Sequence, residues 1–101
     1  NAFLIMSAVF LSRHDSGFLG IGLHAGTPYY DCSEAFLKSM TKILEEHSNG
    51  AIKLIAPFLY WNKAEVYDYF VSTGLPLHKT YSCENGGNKP CNACASCKDR
   101  Q

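Results

Sequence analysis

The sequence predicts an α/β fold, a partial parallel sheet flanked by helices, with a four-cysteine zinc knuckle at its C-terminal end. Three observations predict it. Apolar segments of helical and strand-like length alternate in the order α–β–α–β–α, the pattern of a parallel sheet with crossover helices. Both strand-like runs are short and apolar throughout, as in strands covered on both faces. The third is a run of cysteines near the end, C-x7-C-x2-C-x2-C, at Cys83, Cys91, Cys94 and Cys97. Two strands are too few for a stable sheet, so further strands are expected before Asn1.

Each element has a local reason. Residues 2–12 are apolar nearly all round, which predicts a helix buried on most faces. His14 to Gly17 break it. Residues 18–24 read as a central strand, and residues 25–32 as the loop at its C-terminal end. Ser33 is placed to cap a helix reaching about His47, with Ala35, Phe36, Met40, Ile43 and Leu44 on the inner side. Ser48, Asn49 and Gly50 end it. Residues 51–56 form the second strand, stopped by Pro57. Asn62 and Glu65 form a capping-box pattern for a third helix over 63–73, closed by Gly74. That helix is expected to bury Val66, Tyr69, Phe70 and Val71. Residues 75–82 read as extended. Two domains are expected: residues 1–80 as part of the α/β domain, and residues 81–101 as the knuckle.

Composition narrows the function classes. The chain has 101 residues, 47% of them hydrophobic, enough for a core and too apolar for disorder. Nine basic and nine acidic residues give a formal net charge of zero, which argues against a nucleic-acid partner. No apolar run approaches the ~20 residues of a membrane helix. No basic segment precedes the apolar residues 2–11, so they do not read as a signal peptide. The chain opens at Asn1 in an apolar helical run, which reads as a piece of a longer protein.

Four thiolates at this spacing suit one tetrahedral Zn2+, with Zn–S bonds of about 2.3 Å. Gly86, Gly87 and Pro90 let the longer gap fold back. Iron–sulfur clusters use four thiolates too, and disulfides are the other competing reading. Against disulfides, Cys32 makes the count odd and no secretory signal is present. Reduced thiols on zinc imply a cytoplasmic setting. A filled four-thiolate site leaves no position for a catalytic water, so the zinc is expected to be structural. His24 and His78 read as structural residues, and His14 and His47 as surface ones. Gly20 and Gly22 lack the third glycine of a dinucleotide fingerprint.

Thr80-Tyr81-Ser82-Cys83, then Gly86, then Cys91, Cys94, Cys97 and Arg100 resemble the signature of the 7-cyano-7-deazaguanine synthase family, also called the ExsB family. Glu84 stands where that family usually has Tyr, and Asn92 where it usually has Gly. Tyr29-Tyr30-Asp31-Cys32 followed by Phe36 resembles its Y-x-D-C-x3-F substrate loop. Pro57-Phe58 with Lys63-Ala64-Glu65-Val66 resembles a further segment. The likeness covers nearly the whole chain in order. The family's phosphate-cradling S-G-G-x-D-S loop is not in this sequence.

The resemblance implies an adenine-nucleotide α-hydrolase-like fold and the C-terminal portion of an ATP-dependent C–N ligase. Its substrates would be a deazapurine carboxylate and ammonia, its cofactors Zn2+, ATP and Mg2+, and its partner a second copy in a homodimer. This chain alone is expected to be inactive without the ATP loop. Substrate contacts fall to Tyr30, Asp31, Cys32 and Arg100. Asp31 would accept hydrogen bonds from the guanine-like edge, and Tyr29, Tyr30 or Tyr81 would stack on the ring. Asp31 as a helix cap and Cys32 as an inert thiol are the structural alternatives. The rival function is a non-catalytic zinc-binding module for RNA or protein.

Overall fold

In the computed structural model, residues 1–100 are described. The elements are α1 (Ala2–Leu11), β1 (Gly17–Gly20), α2 (Glu34–His47), β2 (Ile52–Ile55), α3 (Lys63–Ser72) and α4 (Ala95–Asp99). Short 3-10 turns lie at Tyr30–Cys32 and Leu77–Lys79. The chain divides into two compact units, Asn1–Tyr69 and Phe70–Gln101.

The first unit is α/β. β1 and β2 pair in parallel, Gly17 opposite Ile52 through Gly20 opposite Ile55. Their alternation decides what each face does. Leu19 and Leu54 lie opposite each other; Leu54 is buried and Leu19 packs on the core. The other face carries Phe18, Lys53 and Ile55, all exposed, Phe18 at 78%. The expectation of strands buried on both faces therefore fails for this chain. Burial on two faces needs a layer on each side, and the described residues supply one.

The core joins Ile5 of α1, Phe36, Met40 and Leu44 of α2, Leu54 of β2, and Leu23 and Leu59 from the loops after the strands. The α2 residues recur every four positions, one stripe of a 3.6-residue helix. Ala35 and Ile43, expected inside, are exposed because they flank that stripe. On α1 only Ile5 is buried, and Phe3, Leu4, Phe10 and Leu11 face solvent. That corrects the expectation of burial on most faces, for the same reason as the sheet. α3 also corrects its expectation: none of its residues is buried, with Val66 and Phe70 partly covered and Tyr69 and Val71 exposed.

The caps behave as their chemistry requires. Ser33 Oγ accepts from Phe36 N at 3.1 Å. Asn62 and Glu65 cap reciprocally, with Glu65 N donating to Asn62 Oδ1 at 2.9 Å and Asn62 N to Glu65 Oε2 at 2.8 Å. Gly74, at φ +70°, takes the left-handed turn that ends the third helix. The segment read as extended contains the 3-10 turn at Leu77–Lys79, closed by Thr80 N donating to Leu77 O.

Leu44 is 2% exposed and Ile43 48% exposed. Leu44→Ala should lower the unfolding free energy by about 2–5 kcal/mol. Ile43→Ala should change it by less than about 1 kcal/mol, as surface positions do. Urea denaturation of both variants checks this, and equal losses would contradict the stripe.

Candidate metal centre and substrate loop

Between Phe70 and Arg100 only Cys83 and Cys97 are buried. This unit has no hydrophobic core, and folds below ~40 residues usually need metal, disulfides or association to persist. All five cysteines of the chain are free thiols. The sulfurs of Cys83, Cys91, Cys94 and Cys97 all lie within 4.8 Å of one another. A tetrahedron with bonds of about 2.3 Å has edges of about 3.8 Å, and Cys91 Sγ lies 3.9 Å from Cys97 Sγ. The donor set therefore fits a single ion such as zinc. A multi-iron cluster needs room for several atoms between its thiolates.

The backbone arranges the sulfurs and supplies positive ends to them. Cys91 N donates to Cys83 Sγ at 3.4 Å. Ala93 N and Cys94 N donate to Cys91 Sγ at 3.4 and 3.3 Å. Amides of Cys91 and then Asn85 pull the Cys83 thiol down to about 6. The backbone amides of Glu84 and then Cys97 lower Cys94. Burial, and then the neighbouring Cys94 sulfur, push Cys97 up to about 12. The site thus pairs a Cys83 thiol that ionises readily with a Cys97 thiol that holds its proton.

Two residues that depart from the family pattern have local explanations. Asn92 sits at φ +57°, in the left-handed region open to Gly and Asn, so Asn replaces Gly there at little cost. Glu84 Oε1 accepts from Ser96 Oγ at 2.5 Å and from Ser96 N at 3.3 Å, clasping the first turn of α4 to the strand of chain that carries Cys83. Gly86, at φ +54°, makes the fold-back between Cys83 and Cys91. Gly87 N then donates to the Tyr81 hydroxyl at 3.1 Å. Arg100 Nη2 donates to Leu77 O at 2.6 Å. A cavity of ≈ 200 Å³ lies beside the cluster, bordered by Tyr81, Ser82, Asn92 and Arg100 among others.

The other predicted site residues fall in the first unit. Tyr30, Asp31 and Cys32 share the 3-10 turn that enters α2. The Tyr30 ring stands edge-on to Phe36, with centroids 5.9 Å apart. Asp31 is not the cap of α2; that is Ser33. The Asn1 side chain donates to Asp31 O at 2.8 Å and reaches Cys32 Sγ at 3.6 Å. Asn1 thus holds the loop from the start of α1. Nothing in its local sequence marks this role, because its partners are about thirty positions away.

The whole of this chain, residues 1–101, matches the family model described as queuosine biosynthesis protein QueC. It is 33% identical over 98% of its length to a 7-cyano-7-deazaguanine synthase of Sulfurihydrogenibium, covering 48% of that protein. A protein of the same name from Aquifex aeolicus is 32% identical over 98% of this chain and 49% of its own length. A 7-cyano-7-deazaguanine synthase 2 of Desulfitobacterium hafniense is 38% identical over 79% of this chain. The chain spans about half the length of the curated relatives it matches, in their C-terminal portion.

Three outcomes are expected. Zn2+ uptake should expel protons and tighten as pH rises, because Cys97 stays protonated in the ion-free site. Calorimetry in buffers of different ionisation enthalpy reads this, and uptake without proton release would contradict it. Chelation should unfold the segment from Cys83 to Cys97 and leave the first unit's helices in place, as followed by limited proteolysis and circular dichroism. Asn92→Gly should bind zinc as the parent does, whereas Asn92→Val should lose affinity by an amount matching about 1–2 kcal/mol of left-handed strain.

Proposed function

The chain belongs to the queuosine biosynthesis QueC family, and we propose that it forms the metal-bearing and substrate-binding portion of an ATP-dependent C–N ligase. The ligase converts 7-carboxy-7-deazaguanine and ammonia to 7-cyano-7-deazaguanine. One observation carries the reading: relatives bearing that synthase name match 98% of the chain, which includes the four-cysteine cluster. Zn2+ held by Cys83, Cys91, Cys94 and Cys97 gives the second unit its centre and takes no part in the chemistry, since four thiolates complete its shell.

In this reading the substrate's carboxylate attacks the α-phosphorus of ATP, with loss of pyrophosphate. Ammonia then displaces AMP to give the amide. The amide oxygen leaves on a second AMP as the nitrile forms, with the amide protons released to solvent. Mg2+ offsets phosphate charge when bound. The residues of this chain bind and orient. Asp31 accepts hydrogen bonds from the amidine edge of the ring, and Tyr30 offers an aromatic face. Cys32 lies beside them in the same turn. Arg100 donates one N–H to Leu77 O within the second unit and, with five donors in its guanidinium, keeps others unspent. Free thiols at a metal centre suit the cytoplasm.

The test uses the whole gene product that carries this sequence, zinc-loaded. Given 7-carboxy-7-deazaguanine, ATP, Mg2+ and ammonia, it should form the nitrile with release of AMP, read by mass spectrometry. Residues 1–101 alone should turn over no ATP. No nitrile from the whole product, with zinc bound, would leave the non-catalytic zinc module as the better reading. Asp31→Asn should raise KM about 10-fold or more, the worth of a hydrogen bond to a charged group.

A further inference from the structure

Beyond the β1 strand the chain runs Ile21 to Tyr29 across the C-terminal end of the sheet, the edge at which open parallel sheets take ligands. It is pinned there. Ile21 N donates to Ile55 O at 2.9 Å, and Ala25 N donates to Leu59 O at 2.7 Å. Leu23, within it, and Leu59, in the loop it bonds to, are both buried. On this segment, one on each side of Ala25, are two polar side-chain atoms shielded from solvent and without a hydrogen-bond partner, His24 Nδ1 and Thr27 Oγ1. Among the described residues no other buried side-chain nitrogen or oxygen is left in that state. Such atoms are rare, because water lost on burial is normally replaced by a partner.

The backbone between them is shaped around the imidazole. A Cβ on Gly26 would stand 3.0 Å from His24 Nδ1 and 3.4 Å from its Cε1. The glycine thus lets the chain pass close to the ring edge that bears the unpaired nitrogen. Both atoms can donate: a threonine hydroxyl always carries a proton, and a neutral imidazole carries one on either nitrogen. Neither residue belongs to the metal cluster or to the Tyr30–Cys32 turn.

We propose that His24 and Thr27 form a two-donor notch for the carboxylate of the substrate, the group on which the reaction occurs. The inference rests on the reading of the chain as a 7-carboxy-7-deazaguanine ligase and assigns its reacting end to this loop, with the ring's amidine edge left to Asp31. An Oγ–H and an Nδ1–H match the two oxygens of a carboxylate. Once that group becomes an amide, its single carbonyl oxygen still accepts from one of them. Gly26 belongs to the notch because a Cβ there would press on the imidazole at Nδ1.

The test compares binding of 7-carboxy-7-deazaguanine and of 7-deazaguanine, which lacks the carboxylate, to the whole zinc-loaded gene product by calorimetry. The carboxylate should add affinity in the parent protein. Thr27→Val and His24→Leu should each remove that increment by about 10-fold or more while leaving 7-deazaguanine binding unchanged. His24→Asn, whose amide nitrogen sits near the place of Nδ1, should restore part of it. In the parent protein the 15N shift of His24 Nδ1 should move with the carboxylated ligand and not with 7-deazaguanine, a readout that needs no variant to fold. If the shift is unmoved, or both ligands weaken equally in the variants, the notch is refuted and the ligase reading stands. If the parent protein binds neither ligand, the ligase reading fails and the notch with it.

Discussion

Four sulfurs held within 4.8 Å cannot all be negative unless a cation sits among them. That constraint organises everything after Phe70. The segment buries no aliphatic or aromatic side chain, so the hydrophobic effect offers it little. Its backbone amides point at Cys83 and Cys91, its turns at Gly86 and Asn92 take left-handed conformations, and Glu84 clasps α4. Each feature brings a thiolate to one point or steadies a piece of chain that does. Their separate gains are small beside the free energy of about 10–16 kcal/mol that structural zinc supplies in comparable peptides.

The first unit follows the opposite economy. Its core is apolar and continuous from Ile5 to Leu59, and it lies against one face of a two-stranded sheet. The other face shows Phe18 and Ile55 to solvent, and α1 shows Phe3, Leu4, Phe10 and Leu11. Isolated exposed apolar residues are ordinary; a strand face and a helix face of this kind are not. At the C-terminal edge of the sheet the His24 loop is pinned by the Ala25–Leu59 hydrogen bond.

Much of this was legible in the sequence wherever the cause is local. Ser33, the Asn62–Glu65 pair and Gly74 announced the helix ends because caps are made within a few residues. The four-cysteine cluster was legible because its spacing is itself the geometry. Burial was not. Whether Phe10, Ile43 or Tyr69 is covered depends on which elements stand opposite, and the periodicity of one helix carries no record of that. The contacts of Asn1 with Asp31, of Glu84 with Ser96, and of Arg100 with Leu77 span 30, 12 and 23 positions. They are written in the fold alone. His24 read as an ordinary structural residue for the same reason, since only its surroundings reveal an unpartnered nitrogen.

The four cysteines lie within the stretch 83–97, while the first unit joins residues far apart, such as Ile5 and Leu59. Short loops close fast and at little entropic cost. During synthesis from the N-terminus, the apolar unit has its full set of core residues before Cys83 is made. The cysteine segment is made after it, and the uptake of an ion by four sulfurs so near in sequence is a single local step. The two segments can therefore reach their structures at separate times, and metal scarcity would leave molecules folded over residues 1–69 and open to proteases over residues 83–97.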